Sequence, residues 1–231
     1  MPELPPPLPP AERTVGQLIA ESIRLYGDNF WRSLPLGLPI ATLDQLDLGR
    51  GGGVRVALFV ACSPALALAF AYACAIAGGV AAGARTLALA TAVGTAVLLP
   101  ASLVFTWFAL LAAVYLSFFG LSVPVTVLER VGPRTAIRRA LELGRADWVH
   151  ALGSIAALVV VFFLSRQVLV VLLQDQADET IRGAIFLADV VLAPLMLLGT
   201  AMLYFDQAAR VGRERRRRGR HGSDASNGRG P

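Results

Sequence analysis

Residues 56–82 read VALFVACSPALALAFAYACAIAGGVAA, an apolar run without one charged side chain. About 20 apolar residues in a helix cross the ~30 Å hydrocarbon core of a bilayer, so this stretch predicts a membrane span. The whole chain agrees with that reading. Of its 231 residues 55% are hydrophobic and only 16% charged, against about 25% charged in soluble domains. Such a composition excludes a secreted disulfide scaffold, a coiled coil and a disordered chain. Along the run and just past its end, Ala71, Ala75, Gly79 and Gly83 recur at four-residue intervals. That spacing lets two helix backbones approach closely in lipid, where packing must replace the hydrophobic effect.

Beyond Arg85 the apolar character resumes and lasts to about Leu128. One helix of that length would reach ~60 Å, about twice the hydrocarbon thickness. Pro100, which removes a donor and clashes with the preceding turn, predicts a break into spans over 86–99 and 103–124. The alternative is one long tilted helix ending near Gly120. Pro133 then opens an amphipathic helix over 133–145, with proline at its favoured first position. Arg134, Arg138 and Arg145 mark its polar side, and Ile137, Ala140, Leu141 and Gly144 its apolar side. Further spans are expected over 151–173 and 185–205, joined by an acidic loop holding Asp175, Asp178 and Glu179.

Toward the N-terminus the pattern weakens. Leu34 to Leu43 is apolar but short, and Asp44 and Asp47 follow at once. Residues 34–48 therefore either cross with their acids in headgroups or against protein, or turn back as a re-entrant segment. Before them, Thr14 and Gln17 form a capping-box pattern that starts a helix over 14–30. Its apolar side carries Val15, Ile19, Ser22/Ile23, Tyr26 and Phe30; Gln17, Glu21, Arg24, Asp28 and Arg32 occupy the other. A short helix of this kind, ending at Trp31 and Arg32, is expected to lie in the interface. Residues 1–13, which include MPELPPPLPP, read as a proline-rich, extended and disordered leader, with no secretory-signal pattern.

The fold expected is an all-α polytopic membrane bundle: about six transmembrane helices plus two interfacial amphipathic helices. Charge orients it. Net charge is +5, and all 21 basic residues are arginine, which together with the alanine content suggests a high-GC bacterial genome and hence the cytoplasmic membrane. Five arginines lie between Arg130 and Arg145 and eight between Arg210 and Arg229, whereas the acidic loop between them holds only Arg182. The positive-inside rule places the first two groups in the cytoplasm and the loop outside. Six spans with both termini inside satisfy this. The tail over 210–231 is expected to be disordered and, tethered at the membrane, to meet anionic lipid before nucleic acid. Arg134, Arg138, Arg139, Arg145, Arg210, Arg213, Arg215, Arg216, Arg217 and Arg218 form the expected lipid-contacting set.

Charges inside the apolar runs are the most informative side chains. Arg166 interrupts one span at an insertion cost of about 2.5–3.5 kcal/mol at mid-bilayer, and Asp189 interrupts the last. Arg166 lies twelve residues before Asp178 and Asp189 eleven after it, so an antiparallel hairpin puts them at one depth. They are expected to pair as a structural latch; outward snorkelling of Arg166 is the alternative, and a substrate or proton path a third. Asp44 and Asp47, three apart, would share a helix face as a cation or proton site, or simply sit in a solvated loop. Glu129 is expected to accept from Arg134 or Arg138, and Asp206 to staple Arg210 at the i, i+4 spacing.

Catalytic patterns are missing. The chain has no nucleophile elbow, no HExxH, and no paired carboxylates beside a histidine. His150 and His221 are the only histidines, which excludes a multi-histidine metal site, and His150 reads as an interfacial residue. Cys62 and Cys74, twelve residues apart on one helix, are too distant to pair. Neither cofactor nor metal is expected.

The stretch from Val123 to Trp148, VPVTVLERVGPRTAIRRALELGRADW, resembles a segment of the glycerophosphoryl diester phosphodiesterase membrane-domain family of integral membrane proteins. Thr14-Val15-Gly16-Gln17 is similar to that family's opening, as are Arg24-Leu25-Tyr26, and Leu203-Tyr204-Phe205-Asp206 with Arg210 to its close. In this chain Arg130 stands where the family pattern has glycine, Ala140 where it has serine, and three residues instead of one separate Asp206 from Arg210. The resemblance implies a six-helix membrane bundle and little chemistry. Some relatives precede a soluble phosphodiesterase barrel, and catalysis does not carry over to these residues. The function expected is a non-catalytic scaffold or accessory subunit acting through helix packing and inner-leaflet contacts, with a membrane protein or a second copy as partner. The alternative is a small transporter or lipid carrier using Arg166, Asp189 and Asp44 in a polar path.

Overall fold

The computed structural model describes residues 9–105 and 109–227, and has no strand among them. After a 3-10 turn at Pro10–Glu12 come α1 (Val15–Asp28), α2 (Phe30–Ser33), a second 3-10 turn (Leu34–Gly37) and α3 (Leu38–Asp47). The remainder is α4 (Gly52–Ala77), α5 (Ala84–Phe105), α6 (Ala109–Phe119), α7 (Ser122–Leu128), α8 (Pro133–Ala146), α9 (Trp148–Leu172) and α10 (Asp178–Asn227). Four helices are long and apolar enough to cross a membrane: Gly52–Ala77, Ala84–Ala101, Trp148–Leu172 and Asp178–Arg213. The chain is thus an all-helical bundle with four such spans, and the other two expected spans, 34–48 and 103–124, take a different form.

The α4–α5 hairpin is built on small residues. Ser63, Ala67, Ala71 and Ala75 are all buried, and a Cβ on Gly94 would sit 2.9 Å from the Ala67 Cβ. The expected stripe therefore runs from Ser63 to Ala75 and stops there. Gly79 lies beyond the helix at φ +60, where its amide donates to the Ile76 carbonyl and the Val80 amide to the Ala75 carbonyl, both at 3.0 Å. This is a Schellman cap, which demands a left-handed residue at that position. Cys74 is buried in the same interface and Cys62 is half-buried; both thiols are free.

Prolines do not break these helices. Pro64 and Pro100 lie inside α4 and α5, so the break expected at Pro100 is absent. Each proline removes one backbone bond, but lipid supplies no competing donor and the rest of the helix persists. At Pro64 the carbonyl left over, that of Val60, accepts from the Ser63 hydroxyl at 2.8 Å. The break comes later. The 103–124 stretch is not one helix: α6 ends at Phe119, the chain turns at Gly120 and Leu121, and α7 resumes. A Cβ on Gly120 would meet the Leu116 carbonyl oxygen at 2.5 Å. Six of the seven residues of α7, Ser122 to Val127, are buried, and the chain then leaves through Arg130 at φ +53.

The N-terminal segment departs most from expectation. Helix α1 begins with the expected capping box, Thr14 and Gln17 bonding reciprocally. It does not lie apart in the interface, however, but packs lengthwise on α10 and α9. Successive contacts climb α10 in reverse: Arg13 meets Asp206 at 3.3 Å, and the Ser22 hydroxyl lies 3.2 Å from where a Gly199 Cβ would sit. Next, Gly37 packs against the Val190 backbone, and the Gln45 amide donates to the Arg182 carbonyl at 3.2 Å. From Asp206 back to Arg182 is about 36 Å of helix. Helix α3, at ten residues, is about 15 Å long and does not cross alone. The packing explains the detail: Leu18 and small Ser22 are fully buried, whereas Ile23, assigned to the apolar side, is exposed.

The last helix also exceeds its expected limits. α10 continues through the arginine-rich residues to Asn227, a stretch read from sequence as disordered. Arginine and glutamate are good helix formers, and extending an existing helix avoids the cost of nucleation.

Candidate functional site

Polar side chains gather at the two ends of the bundle. At the end formed by the α9–α10 loop, α3 delivers Asp44 to Arg166: Nη2 to Oδ2 is 2.6 Å, with each side chain about one-fifth exposed. Asp189 stands beside this pair and feels both charges. It is 1% exposed, and neither of its oxygens has a hydrogen-bond partner among the described residues. The expected Arg166–Asp189 latch is therefore replaced by Arg166–Asp44. Counting residues from the loop gave the right depth but not the rotation of either helix, nor the arrival of a third segment. Asp44 and Asp47 take separate arginine partners: Asp47 binds Arg55 at 2.9 Å. The described residues contain no group of three metal-binding side chains.

The opposite end is a denser network. Asp206, fully buried, takes Arg13 and has the His150 Nε2 3.6 Å from its second oxygen. Arg210 instead pairs with Asp147 and donates to the Arg13 carbonyl at 3.0 Å, so the expected Asp206–Arg210 staple does not form. Asp147 also caps α9 by accepting from the His150 amide at 3.1 Å, and its carbonyl accepts from Gln207 at 3.2 Å. His150 is accordingly tucked into the network rather than placed at an open interface. Glu129 accepts from the Tyr204 hydroxyl at 2.8 Å and from Arg139 at 3.4 Å, not from Arg134 or Arg138. Burial by itself would lower the Arg139 pKa, but Glu142 and Glu129 together raise it above the usual arginine value.

These pairings divide the expected lipid-contacting arginines. Arg139 and Arg210 are taken up inside the network, and Arg213 pairs with Glu12 at 2.8 Å. Arg134, Arg138, Arg145 and Arg216 are exposed, while the side chains of Arg215, Arg217 and Arg218 lie outside the described residues. On α8 the buried stripe is Ala136, Ala140, Leu143 and Gly144, turned by about one residue from the expected one. A Gly144 Cβ would sit 2.9 Å from the Phe118 ring, and this close approach to α6 fixes the turn. Ile137 consequently faces outward with Arg134, Arg138 and Arg145. Exposed Trp148 and Val149 follow at the start of α9.

Asp147, Tyr204, Gln207 and Arg13 were not singled out from sequence. Asp147 had a readable signal, an aspartate just before a helix start. The other three have none, because their roles depend on distant segments. Chemically, both clusters clamp the N-terminal segment to the bundle by charge-assisted bonds. A cavity of about 10 Å³ between α9 and α10 is lined by apolar side chains such as Leu158, Phe162 and Met196. The stretches that carry the family resemblance, Thr14–Gln17, Val123–Trp148 and Leu203–Arg210, border the same network. Comparison with protein-family models, curated proteins and solved structures gives no match.

Proposed function

We propose that this chain is a non-catalytic integral protein of the bacterial cytoplasmic membrane, acting as a scaffold or accessory subunit. It crosses six times, with α4, α5, α9 and α10 as continuous spans and α1–α3 and α6–α7 as broken ones. Both termini are cytoplasmic, because the α8 arginines and the start of the arginine-rich tail meet at one end of the bundle and the positive-inside rule assigns that end. It is a relative of the glycerophosphoryl diester phosphodiesterase membrane-domain family. What supports the kinship, besides the shared residues, is Arg130: it adopts φ +53 where the family pattern carries glycine, the residue that conformation favours.

The observation that carries the role is the outward face of α8, where Arg134, Arg138 and Arg145 flank Ile137 and half-buried Leu141. A basic face with apolar anchors suits an anionic inner leaflet, at about 1 kcal/mol per arginine near the surface. The test is mass spectrometry on protein extracted into polymer nanodiscs, scored against an unrelated membrane protein. A stoichiometric protein partner with enriched anionic lipid is the expected result. An enriched solute without a partner, lost in Arg166→Ala at unchanged fold, would replace the scaffold by the second reading, a small carrier. One observation favours that reading: the unpartnered carboxylate of Asp189 beside Arg166 and Asp44.

A further inference from the structure

Asp189 is held in a setting that a permanent carboxylate does not suit. Its side chain is 1% exposed, both oxygens lack partners among the described residues, and it lies about 16 Å along α10 from Asp178. The guanidinium that acts on it, that of Arg166, is already engaged by Asp44 at 2.6 Å. Burying an unpaired charge is expensive, and an arginine shared by two acids leaves one of them uncompensated.

We propose that Asp189 is a proton-binding site and that Arg166 is the group that exchanges partners when the proton leaves. With the proton bound, Asp189 is neutral and Arg166 stays on Asp44, so the three groups carry no net charge. With the proton released, the carboxylate draws the guanidinium toward α10. The planar fork of five N–H donors can serve both acids, and α9 shifts with it. The charged groups acting on Asp189 are Arg166 from α9 and Asp44 from α3. The neighbouring turn Leu34–Gly37 has no titratable side chain, and Arg55 at the start of α4 is held by Asp47. A metal cation fits less well, because Arg166 repels it and hard cations need several oxygen ligands. Protons reach the cluster from the loop end, where Asp175, Asp178 and Glu179 are exposed and Arg166 and Asp44 keep partial access to solvent. The site stands whether or not the chain has a protein partner.

The test is infrared difference spectroscopy on the full chain in lipid nanodiscs, following the C=O stretch of a protonated carboxyl group. The band is expected at mildly acidic pH and lost as the pH rises, sensitive to deuterium exchange, absent in Asp189→Asn and kept in Asp47→Asn. Asp44→Asn frees Arg166 for Asp189, so the midpoint for losing the band falls by about 1–3 pH units. A band that survives Asp189→Asn, a native protein without it, or one that appears only when sodium is removed overturns the proposal. If Asp189→Asn does not fold, native protein and Asp44→Asn decide the matter, and equal midpoints sink the idea.

Discussion

Gly37 offers a test in which two physical effects have opposite signs. It sits at φ −77, a conformation open to any residue, at the junction of the 3-10 turn and α3. Conformational preference alone therefore favours Gly37→Ala, by about 0.8–1.0 kcal/mol on helix scales. Packing opposes it: a Cβ would lie 2.3 Å from the Val190 carbonyl oxygen and 2.7 Å from its carbon and Cα. The obstacle is helix backbone, which no rotamer change can move. Pro194, four residues on, has no N–H to bond the Val190 carbonyl, so that oxygen is left facing the turn. Overpacking of this kind costs about 1–3 kcal/mol, and more where the backbone must shift. The expected net effect is destabilisation by about 1–2 kcal/mol, a fall of roughly 2–8 °C in Tm for a chain of this length. The assay is thermal unfolding in nanodiscs at a fixed scan rate. Gly183→Ala is the control: it lies in α10 with nothing within 4 Å of its Cβ position, and it should gain stability. A Gly37→Ala protein as stable as the native one would refute the close approach of the N-terminal segment to α10.

Three further outcomes follow from the same geometry. Arg166→Ala and Asp44→Ala should each destabilise, and the double substitution should cost less than their sum by about 1–2 kcal/mol, the coupling of a partly buried pair; additive losses would show that the pair contributes nothing. Arg130→Gly should stabilise the protein by about 0.5–1 kcal/mol in thermal unfolding, since a left-handed non-glycine residue costs roughly 1–2 kcal/mol and glycine's extra chain entropy returns part of it. Arg134→Gln, Arg138→Gln and Arg145→Gln combined should leave Tm unchanged and reduce enrichment of anionic lipid in nanodiscs by roughly 100-fold in affinity at low salt; unchanged lipid composition would remove α8 from the inner-leaflet contact.

Hydropathy located the α4 and α9 spans to within about five residues and found α10 without its ends, and Pro133 marked the start of α8 to the residue. Capping chemistry did as well at Thr14. These features are local: they depend on neighbours in the sequence, and summing over about 20 residues averages out error. The breaks were less legible. Pro100 suggested a helix end and is none, whereas the turn at Gly120 depends on how α7 packs against α4, α5 and α8. The 106–108 junction lies outside the described residues.

Side-chain partnerships were the least legible, and the reason is geometric. Each residue along a helix turns the next side chain by about 100°, so a depth estimate good to one residue says nothing of which neighbour a charge meets. Arg166 binds an acid 122 residues away, and Arg13 one 193 residues away, neither within reach of a periodicity argument. By itself the sequence determined that this chain is all-helical with runs long and apolar enough to cross a bilayer, where those runs lie and which stretches concentrate positive charge, because those follow from local propensities and transfer free energies that add residue by residue. Only the tertiary structure decided that the N-terminal segment runs along α10, that Asp44 rather than Asp189 takes Arg166, and which arginines stay exposed. Those choices depend on the rotation and contact of whole helices, which only packing fixes.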